Sequence, residues 1–290
     1  MINKITITFI VLLVSLNGFT QNEKVEISNR ELRKGRPNYI GITMGLGGAS
    51  LRDFATSPLF YYGTPFYLSL SNIRYDDKRE SEKGFSYTFG NYNSNFNNHS
   101  DISKVYTFSL FYSQLYQLNN WSSDKWNVKI GGLFNTTANL RVNRSFMNNE
   151  IGYEIIPTLF GSIKVTRDIS RYKTKTKIFL FIKYQLKPKS RNLAFKVNVG
   201  LLNSAYRNGF VYTGQSYILN KPKAFDDYQF KFFSGFRMST VLDYTVALKN
   251  KNKIQFSYLW DAYKTGGDIN KFEMAQHMFK FTLLFNTNNK

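Results

Sequence analysis

The sequence contains no cysteine, so disulfides cannot staple the fold, and thiolate metal sites and cysteine nucleophiles are excluded. Histidine stands at only two positions, His99 and His277, and the six prolines are few for a chain with so many connections. Acidic residues are scarce as well, 19 against 39 basic ones, for a formal charge of +20. Past the first twenty residues, no stretch approaches the roughly 18 consecutive apolar residues of a membrane-spanning helix. So basic a chain raises polyanion binding, but the features of its start point to export, and nucleic acid is not an expected partner.

That start, MINKITITFIVLLVSLNGFTQ, has a basic residue, an apolar run from Ile5 to Leu16 and a polar end. It reads as a signal peptide over residues 1–20, cleaved near Thr20 or Gln21, because the run is short for an anchor. No cysteine marks a lipid attachment point. Residues 21–37 are polar and charged, and read as a periplasmic lead-in.

Of what is present, aromatics stand out, with 27 Phe and 20 Tyr. The stretch Tyr228 to Lys249 places Phe230, Phe232, Phe236, Met238, Leu242, Tyr244, Val246 and Leu248 on even positions, and Lys231, Arg237, Ser239 and Asp243 on odd ones. A two-residue period predicts a strand with one apolar and one polar face. Almost no helical segment exists to cover the apolar face, so lipid is the remaining solvent for it.

The same rhythm recurs along the chain. Ile40, Ile42, Met44 and Leu46 alternate with small residues, and Phe66, Leu68 and Leu70 with Tyr67, Ser69 and Ser71. Outward sets follow at Phe85 to Phe89, Tyr106 to Tyr112, Trp126 to Leu140, Leu159 to Val165, Ile178 to Tyr184 and Phe195 to Leu201. After Asn208-Gly209, a hairpin signal, comes a weaker strand over Val211 to Ile218. Ile254 to Trp260 and His277 to Phe285 complete a set of twelve, with ten or fourteen as alternatives. If the strand at Val211 is instead a loop, an even count requires the first strand to drop out too. Trp121, Trp126 and Trp260 suit a headgroup boundary.

Over nearly its whole mature length the chain resembles outer-membrane β-barrel proteins of diderm bacteria. The resemblance implies an all-β, antiparallel up-and-down transmembrane barrel over 38–286, located in the outer membrane among lipids and lipopolysaccharide. The polar tail at 287–290 departs from the usual aromatic ending of that class.

On this register Lys129, Lys164, Lys183, Lys196, Lys231, Arg237 and Lys280 point into the lumen, against Asp168, Asp243 and Asp261. Rings of basic side chains favour anions, whereas in a narrow barrel the same residues pair with one another, Arg237 with Asp243 or Asp261. The segment after the first strand, with Leu51, Arg52, Asp53 and Phe54, is too apolar for a solvated loop and is read as a constriction or as a self-packed loop.

No catalytic residue is assigned. His99 and Ser100 adjoin in sequence without a motif that would orient them, and His277 falls in phase with lipid-facing positions. No metal or cofactor is implied by two scattered histidines. Two functions stay open, passage of small polar or anionic solutes or a closed barrel serving as a scaffold or interaction subunit of an envelope complex, with a phospholipase-type hydrolase of the outer membrane ranked behind both. Oligomeric state is open as well.

Overall fold

The computed structural model describes residues 35–96, 99–149, 151–208, 228–266 and 271–287. The segments read as signal peptide and most of the lead-in lie outside these, as do Val211 to Ile218. The strands are β1 (Asn38–Asp53), β2 (Ser57–Gly63), β3 (Phe66–Tyr75), β4 (Arg79–Phe96), β5 (His99–Gln117), β6 (Trp126–Val142), β7 (Ile151–Asp168), β8 (Lys175–Phe179), β9 (Ile182–Leu186), β10 (Arg191–Asn203), β11 (Ala205–Asn208), β12 (Tyr228–Lys231), β13 (Phe236–Ala247), β14 (Lys253–Lys264) and β15 (Phe272–Asn286).

Ten of them close a ring by antiparallel pairing in the order β1-β3-β4-β5-β6-β7-β10-β13-β14-β15. The first strand is a stave, paired with the last from Tyr39↔Asn286 to Asp53↔Phe272. Because β10 pairs with β7 on one side and β13 on the other, the ring is complete with ten. The alternation predicts twelve staves and the ring holds ten; of the other two, Val211 to Ile218 lies outside the described residues. Ile178 to Tyr184 forms β8 and β9, a two-stranded sheet apart from the ring. Each of these strands has five residues, while a spanning strand needs roughly 9–11.

The stretch from Tyr228 to Lys249 is also not one strand. It breaks between β12 and β13, where Phe233 and Gly235 take positive φ of 53° and 77°. A Cβ at Gly235 would lie 1.7 Å from the Lys264 carbonyl oxygen, so this reversal requires glycine. β12 pairs with β11, and β11 joins β7, so Phe230 stands outside the ten staves.

Within the staves the two-residue period holds. Ile42, Met44, Phe85, Phe108, Leu110, Phe134, Ile163, Phe195, Leu242 and Phe256 are exposed on the outer wall, while Thr43, Ser86, Thr107, Ser109, Asn198, Ser239 and Ser257 are buried inside. On β1 the outward set from Ile40 to Leu46 covers ~20 Å of strand. Trp121 and Trp126 flank this apolar belt on the side of the chain termini, and Trp260, level with His277 and Gly48, flanks it on the other.

The two ends of the barrel differ. At the end where Asn38 and Asn286 meet, here the terminal end, most turns are short. At the distal end β4, β5, β6 and β7 run 17 to 19 residues and rise above the belt. There β2 fills the gap between β1 and β4. Inside this raised rim the inward face turns apolar: Ala49, Leu51, Tyr61, Tyr92, Val105, Ile156, Tyr263, Phe272 and Met274 pack into one cluster.

Candidate functional site

The barrel interior has two parts. From the terminal end a cavity of about 790 Å³ runs inward, lined by Glu80, Glu82, Lys129, Lys164, Lys196, Asp243 and Lys280 among others. Beyond it, toward the distal end, the cross-section is filled by polar and charged side chains that bond from wall to wall and by the apolar cluster above them.

Lys129 and Lys164 sit on inward positions of β6 and β7, directly opposite each other in the ladder. Like charges so placed repel, and Glu80, reaching in from β4, offsets this: Lys164 Nζ donates to its Oε1 at 2.6 Å, and Lys129 Nζ lies 3.7 Å from its Oε2. Lys129 also donates to the Asp76 carbonyl at 2.5 Å. Lys196 reaches across the lumen from β10 to the Ser113 hydroxyl on β5 at 3.2 Å. Lys280 lies over the Tyr67 ring at 5.1 Å. Neither Lys196 nor Lys280 has a carboxylate partner among the described residues. Asp243 is buried near them, and its Oδ1 has no hydrogen-bond partner there.

Deeper in, Arg237 on β13 forks onto Asp261 at 2.9 and 3.2 Å and donates to Thr137 on β6 at 2.9 Å. It is only 3% exposed, and its guanidinium lies over the Tyr263 ring at 4.7 Å. The partner is Asp261 rather than Asp243, because β14 places Asp261 beside Ser239 on the same inner face. Tyr263 in turn accepts from Asn139 Nδ2 at 2.9 Å, a bond between β14 and β6.

The segment from Leu51 to Phe54 ends β1 and turns into β2. Leu51 and Asp53 point inward, while Arg52 stacks outside on Phe54 and Phe60. Asp53, 2% exposed, accepts from Arg141 at 2.5 Å and from Arg207 at 2.6 Å. Arg141 also donates to Glu154 at 2.9 Å. Two guanidiniums and two carboxylates thus form a neutral cluster, with Phe272 beneath both arginines at 4.9 and 5.7 Å. Thr137, Glu154, Thr158, Phe160, Phe272 and Met278 are 0–1% exposed. A water-filled passage would leave such lumen-facing groups accessible, so this layer is closed to bulk solvent.

Two expected lumen lysines are not on staves. Lys183 lies in β9, apart from the ring, and its side chain is outside the described residues. Lys231 lies in β12, above the ring. Asp168, at the terminal end of β7, accepts from the Ser170 backbone at 2.8 Å and from the Tyr172 hydroxyl. Of the expected lumen bases, Lys129 and Lys164 share Glu80 and Arg237 meets Asp261. Glu80, Arg141, Glu154 and Arg207 were missed, although counting by twos past the ends of the expected strands places Arg141 in phase with Asn139, and Glu154 in phase with Lys164.

Of the histidines, His277 is exposed on the outer wall, its Nδ1 2.5 Å from the Tyr258 hydroxyl. His99 opens β5 opposite Phe96, and its side chain lies outside the described residues.

No family model matches the chain, and no curated protein matches it in sequence. Among solved structures it overlaps the transport unit of the autotransporter AIDA-I from Escherichia coli with a TM-score of 0.40 and 9% identity, over 95% of this chain and 96% of that one. The translocator domain of the autotransporter NalP from Neisseria meningitidis gives 0.38 and 10%, over 97% and 95%. An outer membrane channel from Pseudomonas putida F1 gives 0.30 and 10%, over 92% and 100%. Overlaps at these scores assign neither a family nor an activity.

Proposed function

We propose that the chain is a non-catalytic integral barrel of the outer membrane, closed along its axis, that serves as an anchor or interaction subunit of the envelope. The outer belt supports the location: a contiguous apolar band flanked by tryptophans is what a lipid-facing barrel wall requires, and no helix among the described residues is long and apolar enough to cross a membrane. The observation that carries the closed state is the buried layer around Arg237, Asp53 and Phe272. The raised rim of long strands at the distal end supports an orientation with the terminal end on the periplasmic side.

A second reading, passage of small polar or anionic solutes, draws on the cavity and on Lys196 and Lys280, which lack carboxylate partners. Planar-bilayer recording of the mature protein separates the two. The closed reading expects no current in the native chain, and a current on removal of Leu51 to Tyr62. Steady native conductance with an anion-selective reversal potential would replace it with the second reading. A stably co-purifying envelope protein would identify the partner of the first.

A further inference from the structure

The connection from β7 to β10 is out of proportion to its neighbours. The other connections at the terminal end are Asp76 to Lys78, Leu118 to Lys125 and Leu248 to Asn252, yet here more than twenty residues intervene and build their own hairpin from β8 and β9. From Ile169 to Arg191 the chain carries eight basic residues and no acidic one. Its base is tied to β10, where the Ile169 backbone donates to the Arg191 carbonyl and the Arg191 backbone donates to the Ser170 hydroxyl, both at 3.0 Å. Its stem is closed by the Arg171–Lys189 backbone bridge and by Arg171 Nε donating to the Lys187 carbonyl at 2.8 Å. Its tip is apolar, with Leu180 75% and Phe181 96% exposed.

The stem emerges at the headgroup boundary. Arg167, two residues before Ile169, has its guanidinium 5.0 Å over the Trp126 ring, and Trp121 stands exposed nearby in the sequence. From Arg171 to Leu180 the chain can reach at most ~30 Å. An apolar tip with cationic flanks and no acidic residue matches a layer of anionic headgroups above hydrocarbon. Leu180 and Phe181 are exposed, Phe181 almost fully, and a bilayer, unlike a protein partner, requires no preformed pocket to receive them.

We infer that the hairpin from Arg171 to Lys189 is a membrane-docking element, which seats Leu180 and Phe181 in the leaflet at the terminal end and places its lysines on anionic phospholipid headgroups. This rests on the barrel's being in a membrane. The hairpin would then hold the barrel's rotation and tilt against the bilayer as a side brace, beyond what the belt supplies.

The absence of cysteine makes the test direct. Full-length mature protein carrying Phe181→Cys, labelled with a polarity-sensitive fluorophore, is reconstituted into vesicles of phosphatidylcholine alone or mixed with phosphatidylglycerol, some containing chain-brominated lipid as quencher. The expected result is a blue shift and quenching in the anionic vesicles, and a loss of both in molar salt. Changing Lys173, Lys175, Lys187 and Lys189 to Gln should lower the docked-to-free ratio of the tip at least about tenfold. A tip that reports water in both compositions, or one quenched equally in both whatever the salt, overturns the inference. So does capture of an acidic protein through those lysines while the tip stays wet. Leu110→Cys, labelled in the same way on the belt, is the control: if it too reports water, the membrane reading fails rather than the hairpin's role.

Discussion

Removing Asp53, which meets two buried arginines, should unbalance the barrel interior. With Asp53 in place, the cluster of Arg141, Arg207, Asp53 and Glu154 is neutral. In Asp53→Ala two guanidiniums share one carboxylate, and Arg207 keeps only a 3.4 Å bond to the Thr265 hydroxyl. Both arginines are buried, so the released charge has no water to turn to. Deleting one partner of such a pair costs about 3–5 kcal/mol. Asp53→Asn should cost less, since an amide oxygen can still accept from one arginine. The decisive variant is the double one, Asp53→Ala with Arg207→Met: it restores neutrality, leaves Arg141 on Glu154 at 2.9 Å, and should be more stable than Asp53→Ala alone. The measurement is urea unfolding of the folded barrel in detergent micelles, followed by tryptophan fluorescence. If the two single changes add to within about 0.5 kcal/mol, the residues are independent, and a cluster acting as one charge-balanced unit is refuted.

Leu110→Arg puts a charge on the middle of the belt and should destabilise the reconstituted barrel by about 2–4 kcal/mol, whereas the change would be almost silent if that wall faced water. Gly47→Ala should impair closure: its Cβ would fall 1.7 Å from the His277 carbonyl oxygen on the neighbouring strand, and failure is read as loss of the compact, heat-modifiable species in gel electrophoresis. Normal mobility would show that β1 and β15 do not approach as described.

Much of this architecture was legible as alternation. Ile42, Met44, Phe108 and Leu242 face out and Ser109, Asn198 and Ser239 face in, because a pleated strand admits no other arrangement once its phase is set. What alternation cannot tell is whether a stave continues. The short β8 and β9 mimic the pattern, and local periodicity does not reveal that β10 pairs directly with β7. Nor can it tell what fills the inside. Above the belt the phase persists while the inward residues change from Ser and Thr to Leu51, Tyr92, Val105 and Phe272, so a face first read as water-lined becomes a core. Pairings such as Lys164 with Glu80, far apart in the chain, depend on barrel diameter, and the sequence carries no local mark of it.

The apolar cluster draws Leu51 from the first stave and Phe272 and Met274 from the last. Phe272 and Met274 have Tyr263 beside them on β14, and Leu51 has Tyr61 on β2, but the two groups meet each other only when the ends of the ring meet. The cost of ordering the intervening two hundred residues is therefore offset late in assembly, at the moment of cyclisation, which favours slow, all-or-none folding over gradual tightening. A half-built cylinder would hold only part of this cluster, so the packed rim and the closed ring are completed in one event.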